Sequence, residues 1–199
     1  MYKLKNGIAE VTYKISFNYT DFYNLDFNLE ELGDTLDETL GEDEFYSYSW
    51  DNISLKEYWV DIGAKFVDVG LNNNANPDIT TWNGANLVLS PHAYGKLKNH
   101  LRPLGEFLPL TINNQIYCVF NCLNTVQADK RVSKADIVDN LWMGVKSIGF
   151  DERSVKDNLI FKSKFDRCSA LYCGDKFKSL VEELGLKGLI FNKDLLTSF

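Results

Sequence analysis

The most regular alternation of apolar and polar residues lies near the N-terminus. Every second residue of VTYKISFNY is apolar or aromatic: Val11, Tyr13, Ile15, Phe17 and Tyr19. This period of two is typical of a half-buried strand. Aromatic stretches at 45–50 and 57–70 predict further strands, with a turn near Gly63. We therefore expect residues 1–70 to be β-rich, either as part of the same domain as the rest or as a small subdomain.

Two segments of this first half lack the alternation. Leucines recur at three- and four-residue steps between 29 and 40 and predict a short amphipathic helix, which Gly41 would end. Residues 71–84 are rich in Asn, with one Pro and one Gly, and predict a connection to the second half of the chain.

A short strand followed by a helix begins the second half. The apolar run 87–89 predicts the strand. Ser90 and Pro91 predict the start of a helix over 91–101, because Ser is a favoured N-cap and Pro a favoured first helical residue. Pro103 should end this helix.

A hairpin is predicted next, since the apolar segments 106–112 and 115–123 flank Asn113-Asn114, a pair suited to the positive φ angles of a tight turn. The two strands should pair antiparallel. Residues 128–158 are polar with scattered apolar positions, and we interpret them as helical or irregular.

The C-terminal part predicts a helix over 175–184, with Asp175 as its cap and Gly185 as its stop. The buried stripe of this helix would contain Phe177, Leu180, Val181 and Leu184. Short strands are expected at 159–162, 170–173 and 188–191. The predicted fold class is α+β, with a mostly antiparallel sheet and a few packed helices.

Charge is distributed unevenly along the chain. The formal net charge is −7, yet residues 21–61 contain 13 acidic residues against one basic residue, Lys56. The remaining residues contain 15 acidic and 20 basic residues. A concentrated acidic face attracts basic proteins and repels nucleic acids, so we expect no nucleic-acid partner.

The acids are densest in DTLDETLGEDEF, which contains Asp34, Asp37, Glu38, Glu42, Asp43 and Glu44. Strand alternation would place three aromatic residues on one face beside them: Tyr46, Tyr48 and Trp50. Aromatic residues next to charge are typical of protein-binding sites. The alternative is that the acids only solvate a surface and the aromatic residues belong to the core.

The residues that could carry catalysis or bind metal do not form a recognised pattern. Cys118 and Cys122 lie in one predicted strand, where about 3.3 Å per residue separates them by roughly 13 Å, too far for a disulfide or a shared metal. They share a face with Ile116 and Phe120, so we interpret them as core thiols. There is no glycine-rich phosphate loop, and the acidic stretch lacks EF-hand spacing. We expect no cofactor and no catalytic site.

No apolar stretch approaches the roughly 20 residues that a membrane-spanning helix requires. The N-terminus has no apolar run with a small-residue cleavage site, so we expect a soluble, cytoplasmic protein.

The second half resembles a known family through six segments in the same order. These are PDITTW (77–82), LVLSPHAYGKLKNHL (87–101), EFLPLTI (106–112), IYCVFNCLNTVQAD (116–129), NLIFKSK (158–164) and LYCGDKFKSLVEELGLKGLIF (171–191). The chain is similar here to the bacterial immunity protein 11 family, also called domain of unknown function 1629. The resemblance implies that residues 77–199 are an immunity-protein core that binds a cognate polymorphic toxin.

Such an immunity protein would neutralise its toxin by stoichiometric contact, without catalysis. Many intracellular toxins have basic substrate-binding surfaces, which the acidic stretch could occupy. Two alternatives remain open: an enzyme that reverses toxin damage, and an adaptor that binds another basic partner. The oligomeric state also remains open.

Overall fold

The structure is a computed structural model and describes residues 10–27, 33–34, 49–61, 63–69 and 75–196. The strands, in chain order, are β1 (Tyr13–Phe17), β2 (Asn24–Phe27), β3 (Gly63–Val67), β4 (Ile79–Trp82), β5 (Asn86–Leu89), β6 (Gly105–Ile112), β7 (Gln115–Cys122), β8 (Lys134–Val138), β9 (Leu141–Ser147), β10 (Ile160–Phe161), β11 (Leu171–Cys173) and β12 (Leu189–Asn192). The helices are α1 (Pro91–Leu101), α2 (Glu152–Asp157) and α3 (Asp175–Glu183), with 3-10 turns at Arg102–Leu104 and Lys164–Asp166.

The strands within these ranges form two sheets and a separate hairpin, β8-β9. Every named strand pair is antiparallel except β3 with β6. The predicted α+β class with mostly antiparallel sheets is therefore confirmed.

The four-stranded sheet has the order β10-β11-β1-β12, so the first strand of the chain lies between two strands from its C-terminal part. Tyr13 and Ile15 of β1 are buried, whereas Tyr19 lies beyond the strand and is exposed. The strand predicted from the alternation is thus confirmed over Tyr13–Phe17.

The six-stranded sheet has the order β2-β3-β6-β7-β5-β4. Strand β5 is buried on both faces, because Leu87 and Leu89 pack into one apolar cluster and Val88 into another. This explains why LVL is uniformly apolar. Strands β6 and β7 form the predicted hairpin, with φ angles of 50° at Asn113 and 62° at Asn114.

Helix α1 begins as predicted, since the N–H of Ala93 donates to Ser90 Oγ at 3.1 Å. Ala93, Leu97 and Leu101 are its buried residues. The chain then continues as the 3-10 turn that contains Pro103. The capping residues therefore fixed the start of the helix correctly.

Helix α3 begins and ends near the predicted residues, but the prediction of Asp175 as its N-cap is wrong. Gly174 is the N-cap, and Asp175 instead accepts hydrogen bonds from the Val11 N–H at 3.1 Å and the Tyr13 hydroxyl at 3.0 Å. Asp175 thus attaches the helix to the start of β1. Gly185 follows the helix with φ of +69°, a left-handed conformation that favours glycine, as its predicted role requires.

The buried side chains of the described ranges form three clusters. The largest contains residues of both sheets together with α1 and α3. A second covers the other face of the six-stranded sheet and includes side chains from residues 53–59. The third lies against the four-stranded sheet and includes Val155 of α2, Phe161 and Tyr172. Residues 53–59 thus contribute to a core without forming a strand.

The strand predicted at the start of 57–70 is wrong before Gly63. This segment contacts β6 through side chains: Trp59 Nε1 donates to the Pro109 carbonyl at 2.7 Å, and the Asp61 carboxylate accepts from the Thr111 N–H at 2.8 Å. Pro109 has no N–H, so a strand paired there would lose a hydrogen bond. The first strand of this region is therefore β3.

Two other interpretations are wrong. Residues 79–82 belong to β4 and not to a connection, because the β-branched and aromatic residues of ITTW pair with β5. Residues 134–147 form the β8-β9 hairpin and not a helix or an irregular segment. Asp139 and Asn140 form its turn with φ angles of 50° and 64°. The helix predicted between 29 and 40 lies outside the described residues, apart from 33–34, which are helical.

Candidate functional site

The structure describes only part of the predicted binding site. Asp34 is exposed, and Trp50 lies in a helical segment, residues 49–51. The strand predicted at 45–50 is therefore wrong for Trp50. Seven of the predicted site residues lie outside the described residues: Asp37, Glu38, Glu42, Asp43, Glu44, Tyr46 and Tyr48.

Trp50 lies near Arg167, which also lies over Trp142, and the sequence singled out neither Arg167 nor Trp142. The guanidinium carbon of Arg167 lies 5.2 Å from the ring centroid of Trp50 and 4.3 Å from that of Trp142. The side chain of Trp50 remains 49% exposed. Arginine attracts aromatic faces by cation–π interaction and planar contact. The three residues therefore form one aromatic and cationic group at the surface.

A buried lysine helps to hold the segment that follows Trp50. Lys162 is 2% exposed, and its ammonium group donates to Asn52 Oδ1 at 3.0 Å and to Asn121 Oδ1 at 3.1 Å. Burial lowers the pKa of Lys162. Asn52 has φ of +54°, a left-handed conformation that Asn adopts more readily than most residues. This residue turns the chain from the helical segment toward the sheet.

Glu106 holds the next two residues of the same segment. Its carboxylate accepts hydrogen bonds from the Ser54 hydroxyl at 2.5 Å and from the Leu55 N–H at 2.6 Å. Asn121 Nδ2 donates to Glu106 at 2.8 Å and to the Ile53 carbonyl at 3.1 Å. Side chains of the sheet therefore determine where the chain emerges at Trp50.

Arg167 projects from a tight turn between the 3-10 turn and β11. Both Arg167 and Cys168 have left-handed φ angles, 56° and 54°, which cost non-glycine residues roughly 1 kcal/mol each. The Cys168 N–H donates to the Ser163 carbonyl at 2.8 Å, which closes the turn. Strain of this kind persists where the surroundings fix the conformation.

Beneath this turn lies a buried carboxyl group. Asp166 is 3% exposed, and its Oδ2 accepts from the Tyr172 hydroxyl at 2.7 Å, while Oδ1 has no hydrogen-bond partner within the described ranges. Burial raises the pKa of Asp166 to about 6, and the Tyr172 hydrogen bond only partly opposes this. The turn that contains Arg167 therefore follows a buried carboxyl group, Asp166, whose pKa lies in the mildly acidic range.

Trp142 belongs to the β8-β9 hairpin, which exposes large apolar side chains. Ile137 pairs directly with Trp142 across the strands and is 58% exposed. On the opposite face of the hairpin, Val138 pairs with Leu141, and both are exposed. Contiguous exposed apolar side chains mark interaction sites in folded proteins. We define the partner surface as Trp50, Arg167, Trp142 and Ile137.

The cysteines and histidines do not form a reactive centre. Burial raises the pKa of Cys122 to about 11 and also raises the pKa values of Cys168 and Cys173. These thiols are therefore neutral, which disfavours nucleophilic catalysis. His92 and His100 are exposed on α1. Within the part of the chain that is described, no group of three metal-ligating residues comes together.

A candidate membrane span is also not found: none of the helices in the described ranges is both long enough and apolar enough to cross a bilayer.

Comparison with known proteins adds no relatives. No protein-family model matches the chain, and no curated protein matches it. The resemblance to the immunity protein 11 family therefore stays a prediction.

Sequence reasoning found Trp50 but missed Arg167, Trp142 and Ile137. The turn pair Asp139-Asn140 was the signal for the hairpin, since it has the same chemistry as the turn that was recognised between β6 and β7. Nothing in the local sequence marks Arg167.

Proposed function

We propose that this protein binds a protein toxin and neutralises it by stoichiometric contact in the cytoplasm of the cell that makes both. The observation that supports this most is the exposed position of Trp50, which follows the acidic stretch in sequence and shares the Arg167 guanidinium with Trp142. The resemblance predicted from the sequence of residues 77–191 implies the same function.

The partner surface has the composition of an interface centre. Tryptophan and arginine are enriched among the residues that contribute most to protein binding, and they act best when neighbouring contacts exclude water. Exposed Ile137 extends this group along the hairpin. The acids of 34–44 would attract a basic toxin surface. Apolar and aromatic contacts would then supply affinity, and charge would supply fast association.

The test is co-expression with the toxin encoded immediately upstream of the gene, followed by measurement of cell survival. We expect survival only when the protein is at least equimolar with the toxin, and co-purification of the two in one complex. Trp50→Ala should weaken the complex by about tenfold or more. Ile116→Ala is the matched control, because Ile116 is also apolar and exposed but lies at the tip of the β6-β7 hairpin.

The acidic stretch has its own test. Replacing Asp37, Glu38, Asp43 and Glu44 with Lys should slow association with the toxin, and the effect should shrink at high salt because screening has already reduced the attraction. If a folded variant associates with the toxin as fast as the native protein, these acids only solvate the surface and do not contribute to binding. Protection by a small fraction of the toxin's amount would instead favour an enzyme that reverses the damage.

A further inference from the structure

The β8-β9 hairpin exposes apolar side chains on both of its faces. Ile137 is exposed on the face that contains Trp142 and belongs to the partner surface. Val138 and Leu141 pair on the other face, and Met143 follows Leu141 on that face because side chains alternate along β9. All three are more than half exposed. A strand pair that packs by one face usually keeps the other face polar, so this hairpin has the composition of an element that is enclosed from two sides.

The base of the hairpin is held by hydrogen bonds between the segments that enter and leave it. The Gly149 N–H donates to Ser133 Oγ at 3.0 Å, and the Ser147 hydroxyl donates to the Val132 carbonyl at 2.7 Å. Arg167 contacts the hairpin from outside through Trp142. The hairpin therefore has a fixed shape before binding, which lowers the entropic cost of association.

The charges of the hairpin leave its tip acidic. Asp136 and Lys146 form an ion pair of 2.9 Å. Asp139 is exposed in the turn and forms no ion pair with any residue of the described ranges. A carboxylate in this position is attracted to a basic surface, whereas the anionic headgroups of a membrane repel it. The tip therefore favours a basic protein over a membrane as the group that covers the hairpin.

We propose that the β8-β9 hairpin enters a cleft of the toxin that has apolar walls and a basic floor. This inference rests on the proposed function, because the pair Ile137–Trp142 is part of the partner surface. The pair Val138–Leu141 is the next pair toward the tip, so the second apolar face is continuous with that surface.

Each side of the hairpin has its own contact in this arrangement. Ile137 contacts one wall of the cleft, and Leu141 and Met143 contact the opposite wall. Asp139 at the tip meets the basic floor. The strand segment 141–143 spans roughly 10 Å at about 3.3 Å per residue, so we expect a cleft of about that depth.

One substitution on each face tests whether the hairpin is enclosed from two sides. Ile137→Ser and Leu141→Ser each remove an exposed apolar side chain without adding charge. Calorimetric titration of the purified toxin, encoded immediately upstream, should show that each variant binds about tenfold or more weakly than the native protein. Ile116→Ser is the matched control, because Ile116 is equally exposed on the β6-β7 hairpin, and it should bind within about twofold of the native protein.

A charge reversal tests the basic floor. Asp139→Lys should slow association with the toxin, and the effect should shrink at high salt because ions screen the attraction. Glu183→Lys makes the same change of charge at the exposed end of α3 and should slow association less.

The outcomes separate this inference from the proposed function. If the native protein does not bind the toxin, both are overturned. If the native protein binds and Leu141→Ser binds equally well, the toxin contacts only one face and the cleft is refuted, while the proposed function stands. Binding of the native protein to vesicles of phosphatidylcholine and phosphatidylserine, lost in Leu141→Ser, would assign the hairpin to a membrane and also refute the cleft.

Discussion

Replacing the buried Asp166 with Asn should remove a measurable part of the pH dependence of folding. The native pKa of Asp166 is about 6, against an ordinary value of 3.8, because burial disfavours its charged form. Between these pH values the native state holds a proton that the unfolded state has released. The contribution of Asp166 to the stability of the native protein therefore falls as pH rises from about 4 to about 6, and it is constant above that range.

The difference between 3.8 and about 6 corresponds to roughly 3 kcal/mol, since one pH unit equals about 1.4 kcal/mol. Asn is neutral at every pH, and its side-chain oxygen can accept the hydrogen bond that Tyr172 now donates to Asp166 at 2.7 Å. Asp166→Asn should therefore gain up to about 3 kcal/mol relative to the native protein between about pH 3.5 and pH 7.5. Contributions of other groups cancel in this comparison.

The assay is urea denaturation of both proteins at the two pH values, with tryptophan fluorescence as the signal. Asp157→Asn is the control, because Asp157 is exposed at the end of α2. It should shift stability by less than about 0.5 kcal/mol at either pH. A relative gain for Asp166→Asn below about 0.5 kcal/mol, or of opposite sign, would refute the reasoning about burial.

Three further predictions concern the core. Lys162→Met should lower the free energy of unfolding by about 2–3 kcal/mol, because the amide oxygens of buried Asn121 and half-buried Asn52 lose their donor. Lys164→Met should change it little, because Lys164 is exposed, and urea titration checks both variants. Leu110→Ala should lower the free energy of unfolding by about 2–5 kcal/mol, because Leu110 is buried, and Ile116→Ala should lower it by under about 0.5 kcal/mol, because Ile116 is exposed. Equal losses of stability would contradict the assignment of Leu110 to the buried face and Ile116 to the exposed face. In thiol labelling of the native protein, half-buried Cys118 should react first and the three buried thiols slowly, and all should react in concentrated guanidinium chloride.

Local signals were sufficient where the structure depends on neighbouring residues. Ser90 and Pro91 fixed the start of α1, and Asn113-Asn114 fixed a hairpin, because caps and tight turns are decided within a few residues. The alternation in β1 was reliable because only one of its faces meets the largest core cluster.

Sequence patterns failed to predict the structure where contacts between residues far apart in the sequence determine it. Residues 57–61 have strand-like composition, but Pro109 of β6 lacks the N–H that pairing would need, so side chains connect the two segments. The β8-β9 hairpin exposes apolar residues on both faces and therefore lacks a regular alternation. Alternation of apolar and polar residues predicts a strand only when one face of the strand is buried, and both faces of this hairpin are exposed.

The candidate site depends most on such distant contacts. Trp50 is positioned by Glu106, Asn121 and Lys162, which are far away in sequence and were not recognisable as a group. Arg167 adopts a left-handed conformation without the Gly or Asn that would have indicated it. The aromatic residue was predictable as a candidate, but its surroundings were not.

The central claim is tested most directly by calorimetric titration of the purified toxin with this protein, with toxin activity measured in the same samples. The account predicts a saturable complex of fixed stoichiometry, loss of toxin activity at equivalence, and binding weakened about tenfold or more by Trp50→Ala but not by Ile116→Ala. Absence of binding, or equal binding by the two variants, would contradict it.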